Sequence, residues 1–287
     1  LSVNVSGDVG TSSNALNTQV DQLTLTATGD VWMSEVDALV LNGVTASNKQ
    51  VSLVVGGALS DTASTQVQSS GLSVNVSGDV GTSSNALNTQ VATLALTVSG
   101  DAFVQELDAV SIVGLISGSG ASASKTISVT AGNNLSLDAQ VSGLVQSSEL
   151  ITQDGSLSIN QAMTTSNQML LSAGRDGVND TGVSADVMVN ANVSSTKDVM
   201  ILANDQLNLA ANKTLYSDTL VSLLARKDLS MAATSQITTG SGVVELKTMI
   251  GNLALSKVNA GMGEVQVQAL AGEVTNALTD KTQANIV

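Results

Sequence analysis

The chain opens with a strict alternation of apolar and polar side chains. Leu1, Val3 and Val5 are separated by Ser2 and Asn4, and this period of two returns along most of the sequence. Such an alternation predicts β-strands that have one apolar face. Further strands are expected at 23–27, 31–36, 39–41, 51–55, 169–173, 187–191, 199–203, 207–211, 220–225, 229–233, 243–246, 253–255 and 265–270. No stretch combines the period, length and capping residues of a helix.

One long stretch of the sequence occurs twice without a change. The sequence LSVNVSGDVGTSSNALNTQV fills positions 1–20 and again positions 72–91. Similarity continues beyond the identical part, where Trp32 is matched by Phe103. Apolar positions stay apolar between the copies while their polar neighbours change. This is the behaviour of strands with one core face and one solvent face.

The spacing of the strands predicts the architecture. Strands begin near Leu1, Leu23, Val51 and Leu72, so three units of about 20–28 residues fill the period from Leu1 to Leu72. A unit of that size cannot bury its apolar face alone and must stack on its neighbours. We therefore predict an all-β fold, a β-solenoid of about twelve rungs whose parallel strands lie about 4.8 Å apart. The alternative is a pair of β-sandwiches, which would need regular hairpins with two-residue turns.

The repeat also predicts how the chain is organised. Residues 1–148 are expected to be a β-solenoid with two copies of a 71–78-residue repeat, and residues 149–287 its continuation with degenerate repeats. The Gly- and Ser-rich stretch 114–124 is expected to form a loop. The chain begins at Leu1, not Met, and no cap is recognisable at either end. We therefore expect a processed product, a segment of a longer rod, or ends that dock on other copies.

The composition excludes several classes of function. The chain has no Pro, Cys or His, only three aromatic residues and a formal net charge of −14. Without Cys there are no disulfides or thiolate metal sites, and without His nucleophile activation falls to Lys or carboxylates. The negative charge disfavours binding to nucleic acids and anionic membranes. No apolar run approaches the roughly 18 residues that a membrane helix needs.

Four phrases of the sequence carry a resemblance to a known group of proteins. These are GDVGTSSNALNTQV, GDVWMSEVDALVLNGVTASN, VSLVVGGALSDTAST and DVMILANDQLNLAANKTL. They resemble the β-strand repeats of very large bacterial exoproteins, the filamentous-haemagglutinin-like and giant adhesin-type surface proteins. The resemblance implies a right-handed parallel β-helix, secretion from a Gram-negative cell, and a role in adhesion, biofilm matrix or surface filaments. No catalytic residue comes with it.

Acidic residues that recur in the repeat are candidate calcium ligands. The set is Asp30, Glu35 and Asp37 in the first copy, and Asp101, Glu106 and Asp108 in the second. Residues two apart in a strand share one face, which would set the carboxylates of Glu35 and Asp37 roughly 7 Å apart. Carboxylate oxygens are the ligands that Ca²⁺ prefers. The alternative is a solvated acidic face that keeps the protein soluble.

A second candidate calcium site lies in the Gly-rich stretch 174–182. Asp176, Asn179 and Asp180 are close together there, and a polar turn is the alternative interpretation.

Trp32 and Phe103 are candidates for a sugar platform. Their alternative role is to pack inward or fill a groove.

These observations favour a structural or adhesive extracellular protein and not an enzyme. Its expected partners are further copies of itself, joined head to tail through exposed solenoid ends, and surface glycans. No cofactor other than Ca²⁺ is expected. Two alternatives stay open: a carbohydrate-active β-helix enzyme, with acidic residues and an aromatic residue in one groove, and a calcium-dependent binding module.

Overall fold

A computed structural model describes residues 1–62, 66–117, 125–143, 146–175, 184–280 and 282–287. Within these ranges every regular element is a β-strand and there is no helix. The all-β prediction is therefore confirmed.

The described residues contain 30 strands. In chain order they are β1 (Ser2–Val5), β2 (Leu16–Thr18), β3 (Gln22–Ala27), β4 (Val31–Glu35), β5 (Leu39–Val55), β6 (Leu59–Asp61), β7 (Val67–Val76), β8 (Leu87–Val98), β9 (Ala102–Glu106), β10 (Val110–Ser117), β11 (Thr126–Ala131), β12 (Leu135–Leu137), β13 (Val141–Gly143), β14 (Ser147–Thr152), β15 (Leu157–Ile159), β16 (Met163–Thr165), β17 (Met169–Ala173), β18 (Val187–Val189), β19 (Val193–Ser195), β20 (Asp198–Ala203), β21 (Leu207–Leu209), β22 (Thr214–Ser217), β23 (Leu220–Ala225), β24 (Leu229–Met231), β25 (Gln236–Thr239), β26 (Val243–Thr248), β27 (Leu253–Leu255), β28 (Lys257–Asn259), β29 (Val265–Ala269) and β30 (Val274–Asn276).

These strands pair in parallel with the strands of the preceding and following coils. Val3 of β1 lies beside Leu25 of β3, and Leu25 lies beside Val44 of β5. The described residues form a β-solenoid of about 11 turns, close to the twelve predicted. The sandwich alternative is wrong, because its strands would pair antiparallel.

The chain divides into two compact units. Unit 1 comprises Leu1–Gly132 and Val141–Val145, and unit 2 comprises Asn133–Gln140 and Gln146–Val287. The two units exchange short segments between residues 133 and 146, and the boundary expected at residue 148 stays a prediction.

Unit 1 has two stacks of strands. Stack A contains β1, β3, β6, β9, β11 and the first parts of β5, β7 and β8. Stack B contains β2, β4, β10, β13 and the last parts of β5, β7 and β8. The inward rows are aliphatic, as in the run Met33, Leu53, Val74 and Leu96 of stack B. Burying each such side chain stabilises the fold by roughly 1.5–3 kcal/mol before entropic costs.

The second copy of the repeat occupies the other stack. Val3 of the first copy lies in stack A, and that row continues through Leu25, Val44 and Val67. Its equivalent, Val74, lies in stack B. Three turns separate Val3 from Val67 and half a turn more leads to Val74, so one period spans three and a half turns. The prediction of three units per period is wrong by this half turn.

Unit 2 has three stacks. One contains β14, β17, β20, β23, β26 and β29, and a second contains β12, β15, β18, β21, β24, β27 and β30. The third contains β16, β19, β22, β25 and β28, none of which the alternation predicted. Its inner corner is a row of buried hydroxyl side chains. These are Thr165, Ser195, Ser217 and Thr239.

The stretch 114–124 was predicted to be a loop, and its beginning is not one. Strand β10 extends through Ser117, and Gly114 and Leu115 pair with Ala95 and Leu96. Residues 118–124 lie outside the described ranges.

Candidate functional site

The recurring glutamates, Glu35 and Glu106, are buried at the ends of β4 and β9. The Thr18 hydroxyl donates to Glu35 Oε2 at 2.7 Å, and the Thr89 hydroxyl donates to Glu106 Oε2 at the same distance. Backbone N–H groups complete each shell, including Val36 N at 2.9 Å from Glu35 Oε1. Each carboxylate therefore accepts hydrogen bonds both from the turn that follows its strand and from the preceding coil, and so holds the turn against that coil.

The two glutamates differ in their pKa. Burial raises the pKa of Glu35, but hydrogen bonds from Thr18 and from the backbone lower it more, so its pKa lies below the ordinary 4.5. Burial of Glu106 outweighs its hydrogen bonds from Thr89 and the backbone, and its pKa lies above 4.5. The two repeat-equivalent glutamates therefore titrate on opposite sides of the ordinary value.

The predicted pairing of Glu35 with Asp37 on one strand face is wrong. Strand β4 ends at Glu35, whose side chain points inward, whereas Asp37 is exposed in the following turn. Glu106 and Asp108 repeat this arrangement. The cause is the turn itself, because the glutamate oxygens accept its backbone N–H groups. Gln90 Nε2 donates to Asp108 Oδ2 at 2.9 Å.

The remaining candidate ligands in the described chain connect neighbouring coils. Asp30 Oδ1 accepts a hydrogen bond from Gln50 N at 2.9 Å, and Asp101 Oδ1 accepts one from Thr126 N at 2.8 Å. Asp8 and Asp79 accept from the coils above them in the same way. These carboxylates therefore cap the backbone of the next coil.

Calcium binding stays a prediction. Among the described residues, no three Asp, Glu, His or Cys side chains come together in a way that could hold a metal ion. Asp176 and Asp180 lie outside the described residues.

The two repeat-equivalent aromatic residues lie on the outward side of their strands. Trp32 and Phe103 are half-buried, each between two inward-facing neighbours, so they do not pack inward. Whether they fill a groove or form a sugar platform stays a prediction. Each backbone contacts the Gly-Thr-Ser-Ser-Asn turn of its own repeat copy, where an added side-chain atom on Gly10 would meet Trp32 O. Trp32 points outward and Glu35 inward, so these two residues do not form the acid-and-aromatic groove expected of a carbohydrate-active enzyme.

The role of Asp61 was not predicted. Its buried carboxylate accepts hydrogen bonds from Asn88 N at 2.9 Å and Asn88 Nδ2 at 2.8 Å. Asn85 Nδ2 donates to the same side chain at 3.3 Å. Asn85 and Asn88 belong to the exact repeat, and their retention in both copies is the signal that could have pointed to a buried partner.

The first copy presents the same groups without that partner. Asn14 and Asn17, the equivalents of Asn85 and Asn88, are exposed in the described chain. Leu16 is 38% exposed, whereas its equivalent Leu87 is 0% exposed. We refer to the surface formed by Leu1, Val3, Asn14, Leu16 and Asn17 as the first-coil edge. It has the side chains of a coil-to-coil contact and no described coil against it.

Comparisons with protein-family models, with curated proteins and with solved structures found no match. In the described part of the chain, no helix has the length and apolar character needed to cross a membrane.

Proposed function

We propose that the protein is a structural β-solenoid that extends by adding further coils of the same kind. In this role it forms a surface or matrix filament by end-to-end stacking, or part of a longer adhesin stalk. The observation that carries the proposal is the repeat itself. A stretch that is covered by a coil in its second copy presents the same side chains uncovered in its first.

The covered copy provides a template for the contact. Beneath it, Val51 lies beside Leu72, Leu53 beside Val74, and Leu59 beside Val80. Asp61 then supplies the carboxylate for Asn85 and Asn88. A coil that adds to the first-coil edge would therefore be a parallel strand with an aliphatic inward row, followed by a carboxylate in the position of Asp61.

The last strands of unit 2 offer apolar residues of their own. Leu270 and Val274, in and beside these strands, are largely exposed in the described chain. Joining two unlike ends is a heterologous contact, and such contacts build filaments when they do not close into rings. Exposed strand edges supply the unpaired backbone groups that such a contact needs.

The resemblance to the repeats of large bacterial exoproteins supports an extracellular place for such a filament, on the surface of a Gram-negative cell. It also supports adhesion through surface glycans. The parallel solenoid fold is what this resemblance implies, and the high content of Ser, Thr, Asn and Gln suits a solvated, repetitive rod.

Electron microscopy and sedimentation velocity of the purified chain test the proposal. We expect linear assemblies, and we expect Asn17→Asp to weaken them, because it places on the first-coil edge a charge that a docked coil would bury. Val54→Asp is the matched control, since Val54 is exposed and lies two coils away from the first-coil edge. Discrete particles that do not associate up to the solubility limit would contradict end-to-end stacking.

A fusion tests the stalk form of the proposal. Adding a copy of residues 51–71 before Leu1 reproduces the coil that lies beneath the second copy. We expect a higher unfolding midpoint, because Leu1 and Leu16 become buried and Asn14 and Asn17 gain a carboxylate partner. An unchanged or lower midpoint would mean that the first-coil edge does not accept a coil.

A further inference from the structure

Strand β5 contains the only Asn-Gly pair of the sequence, Asn42 and Gly43, and the pair lies at a bulge. Strand β5 uses these two residues where its neighbour β3 uses one, Thr24. A bulge of this kind leaves an extra residue out of the ladder and disrupts the hydrogen bonds around it. The pair is therefore held less tightly than the regular parts of the same strand.

The backbone at Gly43 has a conformation that favours glycine. Its φ is 134°, which residues with a side chain rarely adopt. No described atom lies within 4 Å of the place that a Cβ of Gly43 would occupy. A side chain on the residue after an asparagine hinders the approach of the asparagine amide to the next backbone nitrogen. That hindrance is missing at Gly43.

The Asn42 side chain is half-buried and lies on the outward side of the strand. Its Nδ2 donates a hydrogen bond to Gln22 Oε1 at 2.9 Å. This bond engages the amide nitrogen and not Cγ, which is the atom at which an asparagine amide reacts. The side chain is thus positioned near solvent with its reactive carbon outside the hydrogen bond.

We propose that Asn42 is a site of spontaneous deamidation in the folded protein. The Gly43 nitrogen gives its proton to hydroxide and forms a bond to Asn42 Cγ, which closes a succinimide ring. The bond from Cγ to Nδ2 breaks, and this nitrogen takes a proton from solvent and leaves as ammonia. Water then opens the ring. Attack at Cγ gives aspartate, and attack at the backbone carbonyl carbon gives isoaspartate, so the only co-reactant is water.

The second copy of the repeat keeps the bulge but lacks the asparagine. Gly114 is the equivalent of Gly43, and the register of β10 against β8 also shifts between Ile112 and Gly114. The residue before Gly114 is Val113, which has no amide. The bulge therefore belongs to the fold of unit 1 and does not require an asparagine, while the reaction requires both. The proposal does not depend on filament formation.

The two products should differ in their effect on the fold. Aspartate keeps the length of the backbone, whereas isoaspartate adds one carbon to it. The bulge lies between Leu41 and Val44, which are 1% and 0% exposed. A longer backbone at this point must displace one of these side chains from the close-packed inward row. Isoaspartate at position 42 should therefore lower the stability of unit 1.

Incubation of the folded chain at mildly alkaline pH in isotopically labelled water, followed by digestion and mass spectrometry, tests the proposal. We expect the peptide that contains Asn42 to exchange its amide for a carboxylate with an oxygen from the labelled water, giving both isoaspartate and aspartate. Asn75 is the internal reference and should stay intact, because it is exposed in the regular ladder and is followed by Val76. Aspartate without isoaspartate would overturn the succinimide route.

A variant and a denatured sample make the test specific. Asn42→Gln keeps an amide for Gln22 but would need a larger, less favourable ring, so we expect it to lose the modification. The chain denatured in guanidinium chloride gives the rate without the fold. If the folded chain kept Asn42 intact while the denatured chain was fully modified, the proposal would be overturned, because strand β5 would then protect the pair.

Thermal unfolding tests the effect on the fold. We expect the modified chain to unfold at a lower midpoint than Asn42→Asp, which has the new charge without the longer backbone. Equal midpoints for a chain rich in isoaspartate and for Asn42→Asp would overturn the expected loss of stability.

Discussion

The two identical stretches, residues 1–20 and 72–91, form the same local structure in different surroundings. Leu1 is 49% exposed, whereas Leu72 is 2% exposed. The turn is the same in both copies: Asn14 N donates to Thr11 Oγ1 at 3.0 Å, and Asn85 N donates to Thr82 Oγ1 at 3.0 Å. Local sequence therefore determines the shape of the coil, while the neighbouring coil determines how much of it is buried.

The comparison also shows that the repeat does not encode one particular stack. The first copy begins in stack A and the second in stack B. Both stacks require the same inward row of aliphatic residues about 4.8 Å from the next coil. A strand with one apolar face satisfies either stack, so the same repeated stretch fits both.

The largest difference in the cost of a substitution is expected at the equivalent leucines of the two copies, Leu16 and Leu87. Leu87→Ala removes a fully buried side chain and should lower the free energy of unfolding by about 2–5 kcal/mol. Leu16→Ala should lower it by less than about 1 kcal/mol, because Leu16 is already partly exposed. Chemical denaturation of the two variants measures both values. Equal losses would mean that Leu16 is covered in solution, as it would be in an assembly.

The equivalent asparagines, Asn17 and Asn88, should show a smaller difference in the same direction, with the larger loss of unfolding free energy in the second copy. Asn88→Ala removes the hydrogen bond from Asn88 Nδ2 to the buried Asp61 carboxylate and should cost about 2 kcal/mol. Asn17→Ala, at the exposed equivalent position, should change the free energy of unfolding by less than about 0.5 kcal/mol. Denaturant titration decides this, and a cost for Asn17→Ala as large as that for Asn88→Ala would refute the comparison.

The glycines that open the two turns should behave alike. Gly10 has φ 66° and Gly81 has φ 59°, and an added side-chain atom would lie 2.7 Å from Leu16 N or Leu87 N, respectively. Gly10→Ala and Gly81→Ala should therefore each cost about 1–2 kcal/mol. Gly7→Ala is the control, because nothing lies within 4 Å of its added atom. Thermal unfolding provides the measurement, and a loss confined to one copy would show that the turn depends on its surroundings.

The smallest effect is the opposite pH dependence of the two glutamates. Glu35 has a lowered pKa, so its stabilising contribution is complete above 4.5 and is lost as the pH falls through its folded pKa. Glu106 has a raised pKa, so its contribution is complete below 4.5 and is lost as the pH rises through its folded pKa. Each group changes stability by at most about 1.4 kcal/mol per pH unit.

Denaturation of the wild type, Glu35→Gln and Glu106→Gln at pH values below and above 4.5 tests the directions of the two pKa shifts. The stability advantage of the wild type over Glu35→Gln should shrink below pH 4.5. Its stability relative to Glu106→Gln should instead improve as the pH falls. Slopes of the same sign for both variants would contradict it.

Much of the strand pattern could be predicted from the sequence. The strands Met169–Ala173, Leu220–Ala225 and Leu253–Leu255 have the predicted bounds. The third stack of unit 2 was missed. Strands such as Val193–Ser195 have a single apolar inward residue and a buried hydroxyl. In the sequence such a stretch is mostly polar and resembles a loop.

The candidate sites were less predictable than the strands. The alternation predicts the face on which an acidic residue lies only within a strand. Strand β4 ends at Glu35, so the alternation does not apply to Asp37. The partner of Asp61 lies 27 residues away, and the coil length needed to place it varies along the chain.

The half-turn offset has a consequence for how such a protein can grow or shrink. One period spans three and a half turns, so two such periods would amount to seven whole turns, and the pattern would regain its starting orientation only at every second copy. An insertion or deletion of one period would rotate everything that follows by half a revolution about the solenoid axis. Gain or loss of a single period would therefore change the direction in which the later surfaces of the protein face. Gain or loss of two periods would change only the length of the solenoid.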